Sequence, residues 1–234
     1  MEKHNKIGFL NGTALKIIAM ISMVFDHVGD NFFAEGSAVW TWMRIIGRIA
    51  MPIFAFCISE GYIHTHDRKK YLLRMGIFAL ISELPFDLVT AGRLEYTHQN
   101  IMYTFFLSIA ALMIFDKLTS GKRKTAGYIF GTAVVMIFCG IALLTGADYN
   151  LYAVGLVFLF YVFASKALWL RTGAAAVWHL LMRNVGIYIW GLLGFIPVMF
   201  YNGKKGKGLK WLFYVFYPGH LLVIWAVKTY LLKG

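Results

Sequence analysis

Apolar stretches of about 17–25 residues recur from Thr13 almost to the C-terminus. A helix of that length crosses the roughly 30 Å hydrocarbon core of a bilayer. Within hydrocarbon, every backbone N–H and C=O needs a protein partner, which leaves helices or closed barrels. The runs are continuous rather than alternating at period two, which argues against a β-barrel. The chain therefore reads as all-α, a polytopic transmembrane helical bundle. Composition agrees, with 59% hydrophobic and 17% aromatic residues against about 45–50% apolar in soluble domains.

Spans are expected at 13–33, 37–61, 70–91, 98–117, 125–145, 149–165 and 210–232. Residues 167–201 form either one helix or two, broken near Arg183 and Asn184, giving eight or nine spans. The basic links are Lys3/Lys6, "HDRKK" at 66–70, "GKRK" at 121–124, Lys166 with Arg171, and "KKGKGLK" at 204–210. Cytoplasmic links collect Lys and Arg. Nine spans with a cytoplasmic N-terminus put every basic link inside, whereas eight would expose Lys204, Lys205, Lys207 and Lys210 outside. About nine spans is the expectation, with eight as the alternative.

No fixed-period repeat, low-complexity segment or long linker divides the chain, so residues 1–234 read as a single integral membrane domain. The N-terminal "MEKHNKIGFLNG" has no h-region with a small-residue cleavage site, so the first helix is expected to be a retained anchor. Cys57 and Cys139 lie far apart in apolar runs without CxxC spacing, and read as packing residues rather than metal or redox groups. The net charge of +12 does not indicate nucleic acid, because the basic residues cluster in short links between apolar runs.

An ionisable group in mid-membrane costs roughly 2.5–3.5 kcal/mol on insertion scales, and is usually paired or functional. The first run holds Lys16, Asp26, His27 and Asp30; the second Arg44, Arg48 and Glu60; the third Arg74, Glu83 and Asp87. The fourth opens on His98 and Asn100, and the last contains "FYPGH" with Tyr217, Pro218 and His220. Lys16 and His27 are about three helical turns apart and share a face. Arg44/Arg48 and Glu83/Asp87 are i,i+4 pairs, each pointing one way.

Two readings stand for these groups. The arginines are structural partners of Asp26, Glu83 and Asp87, or the whole set lines a reaction chamber. Glu60, His64, His66 and Arg74 read as solvated or snorkelling at the cytoplasmic end. Asp30 and Asp148 read as loop or cap residues, and Trp178–His179 is assigned no role. His27 has the ionisation range of a general base. Asp26 either orients it or pairs with an arginine. Pro218 and Gly219 are expected to kink the last helix and let Tyr217 and His220 line a cavity.

"LKIIAMISMVFDHVG", "RIIGRIAMPIFAFCISEGYIHTHDRKKYLLR", "ISELPFD", "HQNIMYT" and "FYVFYPGHL" resemble, in this order, the TraX family of bacterial membrane proteins. The resemblance runs from about Leu15 to Leu222 and is weakest over 125–200. It implies N-terminal acetylation of a pilin subunit, with acetyl-CoA as donor, in the bacterial cytoplasmic membrane. Lys16-x10-His27 is also similar to the basic-x10-His signature of integral membrane O-acyltransferases, which makes His27 the catalytic base or an acyl relay. By the same resemblance Arg44 and Arg48 hold the donor's phosphopantetheine arm or stabilise an oxyanion, and Asp87, Asn100 and His220 become site candidates with Glu83 and Tyr217. His66 stands where the family's usual form has an arginine, so Lys69, Lys70 or Arg74 would serve a contact to CoA phosphates.

The expectation is an acetyl-CoA-dependent acyltransferase in the lipid bilayer. Its acceptor is an unidentified peptide N-terminus, glycan or small molecule reached from the extracytoplasmic side. The alternatives are a proton-coupled transporter using the buried Asp/Glu/His cluster, or a non-enzymatic assembly protein.

Overall fold

Pro52 sets the first departure from a plain array of rods. Lacking an N–H, it cannot bond the Arg48 carbonyl one turn back, and its ring crowds that carbonyl. The second apolar run accordingly breaks at Ile49 into α2 (Ala38–Arg48) and α3 (Ala50–His64). The computed structural model describes residues 8–121 and 124–231; Lys3, Lys6, Lys122 and Arg123 of the basic links lie outside the described residues.

The other elements follow the apolar runs closely. They are α1 (Gly12–Phe32), α4 (Arg68–Thr90), α5 (Ile101–Thr119), α6 (Lys124–Leu144), α7 (Asn150–Val162) and α8 (Leu168–Arg183). A 3-10 helix over Gly186–Gly194 leads into α9 (Phe195–Met199), and α10 (Lys210–Ala226) ends in a π-helical turn over Val227–Leu231. Among the described residues there is no strand, only two isolated bridges. The region 167–201 breaks at Asn184, the C-cap of α8.

Five helices are long and apolar enough to cross a membrane: Gly12–Phe32, Ala38–His64, Ile101–Thr119, Lys124–Leu144 and Trp211–Tyr230. At 1.5 Å per residue α1 spans about 32 Å, whereas α7 and α8 span about 20 and 24 Å and fall short of the hydrocarbon core. α4 is long enough but carries too many charges. α10 runs unbroken through Pro218.

The connections alternate between two ends of the bundle. Leu10 N–H donates to Phe200 O (3.0 Å) and Asn202 N–H to Leu10 O (2.9 Å), placing the 200–208 loop beside the start of α1. At the same end Asp116 accepts from Tyr62 (3.0 Å), Arg68 (2.5 Å) and Tyr161, tying α3, α4, α5 and α7 together. At the opposite end Gln99 N–H donates to Gly146 O (3.0 Å) and Asp148 N–H to Gln99 O (2.8 Å). Gly146 has φ +65°, and a Cβ there would collide with Thr97 O, so this turn needs glycine.

Glu60 is buried rather than solvated. Its Oε1 accepts from Arg171 Nη1 at 2.7 Å, while Arg171 also donates to Phe160 O (2.6 Å) and Ser59 Oγ (3.1 Å). The pair locks α8 onto α3. Arg171→Ala should cost about 3–5 kcal/mol by leaving a buried carboxylate uncompensated, measured by denaturation of detergent-solubilised protein. Adding Glu60→Gln should recover most of that loss, and a single variant as stable as wild type would show the pair to be idle.

Candidate functional site: a polar cavity through the bundle

α1 and α2 approach closely because small residues face the contact. A Cβ on Gly47 would collide with the Asp26 carboxylate, and one on Gly29 would press on Met43. Asp26, on α1, is thereby held against two guanidinium groups of α2. Arg48 Nη2 donates to both Asp26 oxygens, and Arg44 Nη1 lies 3.2 Å from Asp26 Oδ1 and 3.3 Å from Asp30 Oδ1. Asp26 thus pairs with arginines instead of orienting His27. Neither arginine reaches Glu83 or Asp87. Arg44 Nε and Arg48 Nε are buried without an acceptor among the described residues.

His27 finds its partner on α10. Its Nδ1 lies 2.8 Å from His220 Nε2, and His220 Nδ1 lies 2.9 Å from Phe216 O. A carbonyl oxygen can only accept, so the hydrogen-bond network assigns a proton to His220 Nδ1. In the neutral ring His220 Nε2 then accepts from His27 Nδ1–H, leaving the lone pair of His27 on Nε2. Among the described residues no group hydrogen-bonds that nitrogen.

His27 faces a cavity of about 1060 Å³ that reaches both ends of the bundle. Lys16, Arg74, Lys205 and Lys207 line the end near the start of α1; Asp30, Arg44, His98, Asp148 and Arg183 line the other. Met20, Met23, Met51 and Met102 give its waist an apolar wall. Of the catalytic and substrate-binding candidates read from the sequence, Lys16, Asp26, His27, Arg44, Arg48 and Tyr217 line this space. His220 stands behind His27.

Glu83, Asp87 and Asn100 are placed elsewhere, in the joint between α4 and α5. Asn100 caps α5 by accepting from Met102 N–H (3.0 Å), and donates to Ala79 O (2.8 Å) and to Glu83. Asp87 accepts from Glu95 N–H at 3.1 Å.

Sequence reasoning missed Asp148, Tyr149, Arg183 and Tyr188. Tyr149 (φ 56°) and Asn150 (φ 38°) are successive non-glycine residues in the left-handed region, a conformation that costs energy and concentrates at functional positions. They turn Asp148 and Tyr149 into the cavity. The guanidinium of Arg183 sits 5.6 Å from the Tyr149 ring centroid and 5.3 Å from that of Tyr188, and Arg48 lies over the same two rings. An isolated arginine at the break of an apolar region was the available signal, by the rule for charges in spans.

The sequence matches the TraX protein family over residues 11–228. The chain belongs to the TraX family. It is similar to the probable fimbrial assembly protein FimC, serogroup H1, of Dichelobacter nodosus, 30% identical over 243 residues, covering 93% of this chain and 95% of that protein. It is also 33% identical over 107 residues to the uncharacterized protein RP591 of Rickettsia prowazekii (strain Madrid E), covering 45% of this chain and 38% of the other. No solved structure matches. TraX membership and the five apolar helices together describe a multi-pass membrane protein.

Burial pushes the Asp148 carboxyl up to about 6, against the pull of the Arg48 and Arg183 charges. The folded state then holds this proton more tightly than the unfolded chain, whose Asp titrates near 3.9. Wild type should lose stability relative to Asp148→Asn as pH rises from about 4 to about 6, by on the order of 1–2 kcal/mol after allowance for solvent in the cavity. Thermal unfolding across that interval tests this, and parallel curves for the two proteins would mark Asp148 as an ordinary solvated carboxylate.

Proposed function

We propose that this TraX-family protein is a membrane-embedded acyltransferase that moves an acetyl group from cytoplasmic acetyl-CoA to an amine or hydroxyl reached from the extracytoplasmic side. The observation that carries this reading is a cavity whose polar lining runs from one end of the bundle to the other, with His27, whose Nε2 keeps its lone pair, on its wall. Nine crossings with the N-terminus in the cytoplasm suit it. The basic links then lie inside, and the loop carrying Lys204, Lys205 and Lys207 already sits beside the start of α1. The membrane is then the bacterial cytoplasmic membrane. A relative named for fimbrial assembly fits an acceptor on a pilin-like subunit.

In this mechanism His27 Nε2 removes the proton as the acceptor nitrogen or oxygen attacks the thioester carbon. The C–S bond breaks, and the departing CoA thiolate takes the proton back from His27 to leave as the thiol. Arg44 and Arg48 line the cavity and supply guanidinium donors for the developing oxyanion, and Asp26 holds both groups in place. Removing a general base typically costs 10²–10⁴-fold. His27→Ala should therefore lose acetyl-CoA hydrolysis or acetyl transfer by at least about 10²-fold in purified, folded protein. Turnover at the wild-type rate would sink the assignment. Substrate-dependent proton flux in proteoliposomes, without acetyl transfer, would replace it with transport.

A further inference from the structure

The mouth of the cavity beside the start of α1 is strongly cationic. Lys16, Arg74, Lys205 and Lys207 all line it. Among the described residues, the one carboxylate lining this end is Glu60, and Arg171 already neutralises it at 2.7 Å. None of the four cations makes an ion pair among the described residues. Arg74 Nε is also buried without an acceptor.

Two of the lysines stand on a built loop rather than a loose one. Gly12 N–H donates to Lys204 O (2.8 Å) and Thr13 N–H to Lys205 O (3.1 Å). Thr13 Oγ1 is shared between Lys205 O (3.1 Å) and Lys207 O (2.7 Å). Between them Gly206 has φ +77°, and a Cβ there would run into Asn11 and Thr13. The loop therefore presses flat on the helix start, with its carbonyls consumed and its two lysines free to serve the mouth. Lys16, one turn further in, lies 4.8 Å from the centroid of the Phe213 ring. The cations thus form a path from the surface inward.

The geometry points to this mouth as a binding site for adjacent phosphates, with Lys205 and Lys207 taking the outermost phosphate and Arg74 with Lys16 the inner ones. On the reading proposed above, from which this follows, the ligand is the phosphorylated nucleotide end of the CoA donor. Its pantetheine arm then extends along the apolar waist toward His27. Compact ammonium groups suit a phosphomonoester as point charges, and a guanidinium with an unused N–H suits a bridging pyrophosphate. Anionic lipid headgroups share this chemistry, but the cations line the cavity rather than an outer face.

The test uses the full chain in nanodiscs of zwitterionic phosphatidylcholine, titrated calorimetrically with CoA, dephospho-CoA and pantetheine. CoA should bind more tightly than dephospho-CoA, and dephospho-CoA more tightly than pantetheine. Lys205→Gln/Lys207→Gln should weaken CoA at least about tenfold while leaving pantetheine unchanged, and raised salt should act in the same direction. Both lysines are exposed, so this variant should fold as wild type does. CoA affinity unchanged in the double variant overturns the site, as does a loss confined to phosphatidylglycerol vesicles. Lysine-dependent CoA binding by a protein that transfers no acetyl group keeps the site and removes the acyltransferase reading. Transfer with an unaltered KM for acetyl-CoA in the variant keeps that reading and removes the site.

Discussion

The clamp of Asp26 between Arg44 and Arg48 is the interaction on which the rest depends. A carboxylate at this depth is tolerated when its charge is matched and its oxygens are occupied. Two guanidiniums do that only if α2 lies almost against α1. That proximity explains glycine at 29 and 47, where any side chain would strike Met43 or the carboxylate itself. Pro52 then breaks the helix at Ile49, and the start of α3 packs on the 3-10 segment, where Gly194 lies against Ile49 and Pro52. Arg48 faces outward from the clamp over Tyr149 and Tyr188, and these rings bring in the turn that carries Asp148. One ion cluster thus organises the whole far end of the cavity.

The two ends of that cavity are electrostatically unlike. At the far end carboxylates and guanidiniums alternate, and most of the charge is spent within the protein. At the end beside α1 Lys16, Arg74, Lys205 and Lys207 make no ion pair among the described residues. Between them lies a waist of methionines whose flexible side chains accept varied shapes. A bilayer protein has little reason to hold so many polar groups along one path unless something polar travels or reacts there. The imidazole pair lies on that path, where the wall changes from unpaired cations to matched pairs.

Much of this was legible in the sequence where a rule concerned one helix. Run length located the helices, i,i+4 spacing aimed Arg44 and Arg48 together, and three turns placed Lys16 on the face of His27. The break at Asn184 was visible as polarity within an apolar stretch. What required two helices was not legible. Arg171 looked like part of a basic link, and its burial against Glu60 depends on how α8 meets α3. Glu83, Asp87 and Asn100 look like site residues by polarity alone, yet they close a joint between α4 and α5. Asp148 looked like loop because the two left-handed residues that turn it inward have no sequence signature beyond a neighbouring glycine.

The pairing of His27 with His220 joins backbone geometry to proton placement. Helical hydrogen bonding already directs the Phe216 carbonyl toward residue 220, and the ring of His220 folds back onto the same oxygen. This contact makes His220 donate through Nδ1 and accept through Nε2, so the proton on His27 sits on Nδ1 and the lone pair on Nε2. The carbonyl at position 216 thereby determines which nitrogen of a different helix is basic. A side chain at 220 that could not accept a hydrogen bond would leave His27 free to invert its tautomer and carry the proton on Nε2 instead. Pro218 denies the Tyr214 carbonyl its helical donor without breaking α10, so the helix holds this register where it passes His27. The last helix therefore sets the proton on His27, although between Lys210 and Lys228 no charged residue marks it.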